Sequence, residues 1–161
     1  MPPTPPLNEP RSASGHEVPS GVAVRVEGTG LHSGAPCVVT LRAVPGPVRL
    51  RCGAHEATLG ELSVASTARA TTVEACGGAL RVGTVEHLFA ALAGLGVHEG
   101  LALDVDGPEM PMLDGGASAW CEAIARLGPP ASPPRLRVTR FATYDAGPSL
   151  YELAPAGGVH V

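Results

Sequence analysis

The sequence predicts an α+β fold, with two helices packed on one side of a mostly antiparallel sheet. Three observations predict it. Short runs such as residues 22–27 alternate valine with polar residues at the period of a half-buried strand. One stretch, residues 84–96, instead carries the 3.6-residue period of a helix. Between such runs, 21 glycines and 17 prolines in 161 residues punctuate the chain closely, which suits short strands joined by turns.

Taken in order, residues 1–19 are rich in proline, serine and glycine and read as a flexible leader that buries too little apolar surface to order itself. His16 falls there. After the strand at 22–27 comes Gly28-Thr-Gly-Leu-His-Ser-Gly34, a tight loop with Leu31 and His32 at its tip. Such a loop can cradle phosphate. No helix pattern follows it, however, and residues 37–43 form another strand, so it reads either as a hairpin loop or as a loop leaning over a site. Residues 48–52 are a short strand. Residues 56–64 are ambiguous, compatible with a strand that carries an irregularity at Gly60, and 66–72 are small and polar. Strands at 71–75 and 79–82 flank Gly77-Gly78, a hairpin signal, and the second runs straight into the helix.

Residues 101–105 form a strand ending near Asp104 and Asp106. Residues 107–116 are an irregular loop whose two prolines restrict its shape. A second helix at 117–127 places Trp120, Ile124 and Leu127 on one face, with Asp114 or Ser118 as its cap. The boundaries expected are therefore a leader at 1–19, an α+β domain at 20–128, a proline-rich linker at 129–134, and at 135–161 a hairpin turned by residues 145–147 that opens a further domain.

Composition narrows the function. All eleven basic residues are arginine, scattered through a chain of net charge −4, which argues against nucleic acid as a partner. No apolar run is long enough to span a bilayer and no signal-peptide pattern is present, so a cytoplasmic location is expected. Cys37, Cys52, Cys76 and Cys121 form no CxxC pair and are expected to be buried or incidental thiols.

The chemistry concentrates in the stretch 84–96. Val85, Leu88, Phe89, Leu92 and Leu95 share one face, and Glu86 and His87 flank the opposite direction. Thr84 is the expected N-cap and Gly96 the expected terminator. Ala90, Ala91, Ala93 and Gly94 fill a face where a solvated helix would carry charge, so a sheet or another domain is expected to cover it. A Glu–His pair at the mouth of that junction is a metal-site candidate; an exposed helix start, with glutamate favoured by the helix dipole, is the alternative.

With these residues in view, the chain resembles the UDP-3-O-acyl-N-acetylglucosamine deacetylases, the zinc enzymes of lipid A synthesis. The resemblance rests on four ordered motifs: residues 28–34, the Thr71-Thr72 segment, Thr84-Val-Glu-His-Leu88 with residues 90–96, and Pro108-Glu-Met-Pro-Met-Leu-Asp-Gly115. It implies two α+β domains with the site between them. The implied reaction is hydrolysis of the substrate's 2-acetamido group, with Zn2+ activating water and a glutamate taking its proton. Carried over, Glu86 matches the general base and His87 a zinc ligand. Leu31, His32, Thr71 and Thr72 match the substrate-facing wall, and Asp114 a position near the site, behind the groups that touch metal or substrate.

The pattern departs from the family in one respect. The His and Asp that complete the zinc shell, the Lys beside them and the acid His come from the family's second domain, and none can be placed here. His55, His98 and His160 have no spacing that directs them at His87. Two classes of function follow. One is a deacetylase, acting on the sugar-nucleotide-lipid substrate, whose second domain is supplied by a separate chain or was cut from this polypeptide. The other is a non-catalytic module that keeps the pocket wall or a protein-contact surface.

Overall fold

The computed structural model describes residues 22–129 and 138–156. The expected leader, most of the linker, His16 and His160 lie outside the described residues. Two helices and ten strands make up the rest, in the expected α+β class.

The strands are distributed over three sheets, where the sequence suggested one sheet and a separate hairpin. Strands β1 (Ala23–Thr29), β2 (Pro36–Pro47), β3 (Arg49–Cys52), β4 (His55–Thr58) and β8 (Glu99–Asp106) form a five-stranded sheet in the order β1-β2-β8-β3-β4. Every pairing in it is antiparallel except β3 with β8, where Leu50 lies opposite Leu103. Strands β5 (Ser63–Ser66), β6 (Thr72–Ala75) and β7 (Leu80–Val82) form a three-stranded antiparallel sheet. Strands β9 (Ala142–Ala146) and β10 (Ser149–Leu153) pair only as a hairpin, turning at Gly147-Pro148 rather than at 145–147. The ambiguous stretch at 56–64 resolves into β4, a 3-10 turn at Leu59–Glu61 and β5, because Thr58 and Glu61 close a reciprocal capping box there.

Period two decides which side of the large sheet is buried. Val39, Leu41, Leu50, Leu101 and Leu103 are fully buried on one side and meet Leu88, Trp120 and Ile124 of the helices. On the other side Arg42 and Arg51 both pair with Asp104 of the central strand. Helices α1 (Glu86–Leu95) and α2 (Ser118–Ala125) pack against each other, and α2 also against β1.

Helix α1 ends as expected. Gly96 adopts φ 67°, and the Val97 amide reaches back to the Leu92 carbonyl at 2.8 Å. Its start differs. Thr84 does not cap it: the residue sits at φ 56°, buried, and Val85 occupies the cap position without a side-chain bond. The hydroxyl is turned away to a carboxylate 25 residues downstream. Helix α2 likewise begins at Ala117 without a side-chain cap. Asp114 instead accepts from the Gly116 amide at 3.1 Å, closing the turn before the helix. Of the small residues on the far side of α1, Ala91 is buried, whereas Ala90, Ala93 and Gly94 are exposed. The expected cover is therefore not supplied by the described residues. All four cysteines are free thiols, Cys37 buried and Cys76 exposed.

Candidate functional site

The four motifs meet in space. Glu86 opens α1, and its Oε2 accepts a hydrogen bond from the Thr71 amide at 3.0 Å. The Val85 amide in turn donates to the Thr71 carbonyl at 3.2 Å. Thr71 thus grips the first turn of the helix through both of its backbone groups, and Glu86 is held at the edge of the small sheet. His87 follows, half-buried.

The loop at 107–116 is stitched to the same place. The Gly83 amide donates to the Pro108 carbonyl at 3.0 Å, and the Met110 amide donates to the Gly83 carbonyl at 2.9 Å. These bonds make a parallel bridge between Gly83 and Glu109. Farther on, the Met112 amide donates to the Thr29 carbonyl at the end of β1.

Glu109, which the sequence reading passed over, sits at the centre of this arrangement. It is only 4% exposed. Its Oε1 accepts from the Thr84 hydroxyl at 2.7 Å and from the His32 amide at 3.0 Å, and its Oε2 accepts from the Ser33 amide at 2.7 Å. Burial alone would push its pKa up. Bonds from the Ser33 hydroxyl, the His32 amide, the Thr84 hydroxyl and the Ser33 amide outweigh burial and hold it down at about 2. No periodicity marks this residue, since it lies in an irregular loop. The signal available for it is the family motif Pro108-Glu-Met-Pro-Met-Leu-Asp-Gly115, which also holds Asp114.

Between the glycine loop, the polar stretch before β6 and Glu109 lies an open cleft of about 500 Å³. His32, Arg69, Thr72, Arg81 and Glu109 are among its lining. Thr72 and His32 therefore face it together. Leu31 does not line it; the side chain stands 58% exposed at the loop tip. Glu86 and His87 do not line it either and adjoin it through Thr71. Asp114 is exposed in the turn before α2.

The donor set does not by itself fit a zinc ion. Among the described residues no three His, Cys, Asp or Glu side chains gather where they could hold a metal. A catalytic zinc needs about three protein ligands. His55 and His98 are exposed on other parts of the surface and do not join His87.

Comparison with known proteins then decides the family. Residues 21–161 match the family model LpxC, UDP-3-O-acyl N-acetylglycosamine deacetylase. The chain belongs to this deacetylase family. A UDP-3-O-acyl-N-acetylglucosamine deacetylase of Myxococcus xanthus is 43% identical over 109 residues, 64% of this chain and 34% of that protein. The enzyme of the same name from Anaeromyxobacter dehalogenans is 38% identical over 150 residues, 87% of this chain and 47% of its own length. That of Shewanella loihica is 36% identical, covering 86% of this chain and 47% of the relative. The chain spans about half or less of the length of these deacetylase relatives. No helix among the described residues is long and apolar enough to cross a membrane.

Proposed function

We propose that this chain provides one half of the active site of a zinc-dependent deacetylase that removes acetate from the 2-acetamido group of UDP-3-O-acyl-N-acetylglucosamine, in the cytoplasm, for lipid A synthesis. One observation carries the reading. Glu86 is fixed by the Thr71 amide beside a cleft lined by His32 and Thr72, so the helix start, the threonine segment and the glycine loop converge. In this reading Glu86 is the general base. Its second oxygen, Oε1, is left to accept a proton from an attacking water, while the Thr71 bond on Oε2 keeps the carboxylate from rotating away. His32 and Thr72 form part of the wall against the sugar nucleotide, while Leu31 stands outside the cleft at the loop tip.

His87 is proposed as one metal donor. The described donors alone do not make up a zinc shell. The remaining donors, and a partner segment against α1, are proposed to come from the half of the relatives' length that this chain does not span.

The test is acetate release from the acylated sugar nucleotide by the purified chain, alone and mixed with the remaining half of the Anaeromyxobacter relative. The expected result is no release and substoichiometric zinc alone, and release with zinc retained in the mixture. Glu86→Ala should then lower kcat about 100-fold or more, the usual contribution of a general base. His87→Ala should lower the zinc retained. Equal rates with and without Glu86 would remove its role as base. Tight, stoichiometric zinc in the chain alone would contradict the division of the site.

A further inference from the structure

We infer that Glu109 is the positioning residue of this site: its carboxylate holds the glycine loop, with His32 at the tip, against the turn from which Glu86 springs. In function this rests on the reading of Glu86 and His32 above; in structure it stands on contacts alone. Among the described residues the buried polar side chains are Thr84 and Glu109, and they are bonded to each other. An apolar pair would fill that space without the cost of desolvating a charge. What a carboxylate adds is acceptors for two backbone amides of a loop that packing does not hold.

The loop shows why it needs them. Residues 31–34 are all exposed. Two backbone bonds, from the Gly30 amide to the Ala35 carbonyl and from the Gly34 amide to the Gly30 carbonyl, stay inside it. Among the described residues, the hydrogen bonds that leave residues 30–35 for another part of the chain end on Glu109. The approach is so close that a Cβ at Gly30 would overlap the Glu109 carboxylate. Glu109 itself is immobilised, because its strand-like loop is bridged to Gly83 on one side and tied to Thr29 on the other. A shift of this carboxylate would therefore move His32 relative to Glu86, although it belongs to neither element.

Amide hydrogen exchange on the full chain tests this without substrate or metal. Glu109→Gln should speed exchange at His32 and Ser33 at least ten-fold and move the His32 imidazole resonances. Exchange at Leu41 and Leu103, in the large sheet, should speed only as far as the variant's global stability falls, measured by urea unfolding of the same variant. A rise at the two loop amides that this global loss accounts for in full would make Glu109 merely structural and overturn the proposal, as would unchanged exchange there. Should Glu109→Gln fail to fold, Thr84→Val removes one bond to the same oxygen that His32 uses. That variant should speed exchange at His32 more than at Ser33, and no difference between the two amides would count against the proposal. The readout is independent of catalysis: a chain that never releases acetate defeats the deacetylase reading, whereas unmoved loop exchange defeats this one.

Discussion

A carboxylate that stays ionised inside a protein links stability to pH. The pKa of Glu109 is about 2 in the fold, against 4.5 for an unperturbed glutamate. Its contribution is therefore fully present above about pH 4.5 and is lost as the pH falls toward 2. A shift of that size corresponds to about 3 kcal/mol. Glu109→Gln should be less stable than the parent by up to this amount at pH 7, and the gap should close by pH 2. Urea unfolding of both proteins at pH 7, 4 and 2.5 checks it; a gap independent of pH would mean that the charge is not what stabilises. Cys37 shows the opposite effect. Burial first, then the charges of Asp106, Cys52 and Glu109, push its thiol up to about 11. Iodoacetamide should therefore label exposed Cys76 first and reach Cys37 only on unfolding. At this scale the sequence was half legible. Glu86 and His87 stood out because they interrupt an apolar period. Thr84 was of the right type for a cap, but its φ of 56° and its distant partner are consequences of tertiary contacts that local propensity does not encode.

At the scale of elements, the helix start and the turn before β8's exit loop decide whether the site is assembled. Leu88 is fully buried in the first turn of α1, within the core cluster that includes the inner residues of the large sheet. Leu88→Ala should cost about 2–5 kcal/mol, measured by chemical denaturation. Gly107 leaves β8 at φ 150°, and a Cβ there would lie 2.7 Å from the Cys37 Cβ. Gly107→Ala should therefore push the Glu109 loop away from β2, destabilising the fold by about 1–3 kcal/mol. Gly53→Ala, with nothing near its Cβ position, should cost less, since only its backbone at φ 58° is strained. Equal costs would show that the crowding at Cys37 is relieved cheaply. Most strands were legible because Val, Leu and Cys alternate with polar residues along them. The parallel pairing of β3 with β8 was not, because it joins residues about 50 positions apart and is set by the whole sheet. The separation of β5, β6 and β7 from the large sheet was hidden as well, whereas the β9–β10 hairpin was legible.

For the whole molecule, the main unresolved balance is between a well-packed core and apolar surface left outside it. Trp120, Ile124 and the inner residues of the large sheet form one buried cluster. By contrast, every residue of the β9–β10 hairpin is exposed. Its register puts Tyr144 opposite Tyr151, with ring centroids 6.4 Å apart, and Leu153 lies on the same face two residues on. A two-stranded hairpin is marginal by itself, so this face gains little from folding here and much from being covered. Two surfaces could then drive association in the isolated chain: this hairpin, and the exposed Ala90, Ala93 and Gly94 of α1. Ending the chain after Pro129 separates them. The shortened protein should melt within about 2 °C of the full chain, because the hairpin buries nothing of its own. Sedimentation at rising concentration should show the full chain associating and the shortened one remaining monomeric, which would assign the contact to Tyr144, Tyr151 and Leu153. If both associate alike, the contact belongs to α1. A Ala90→Glu substitution on the shortened chain should then abolish it, since a charge on that face cannot be buried against a second helix without a partner.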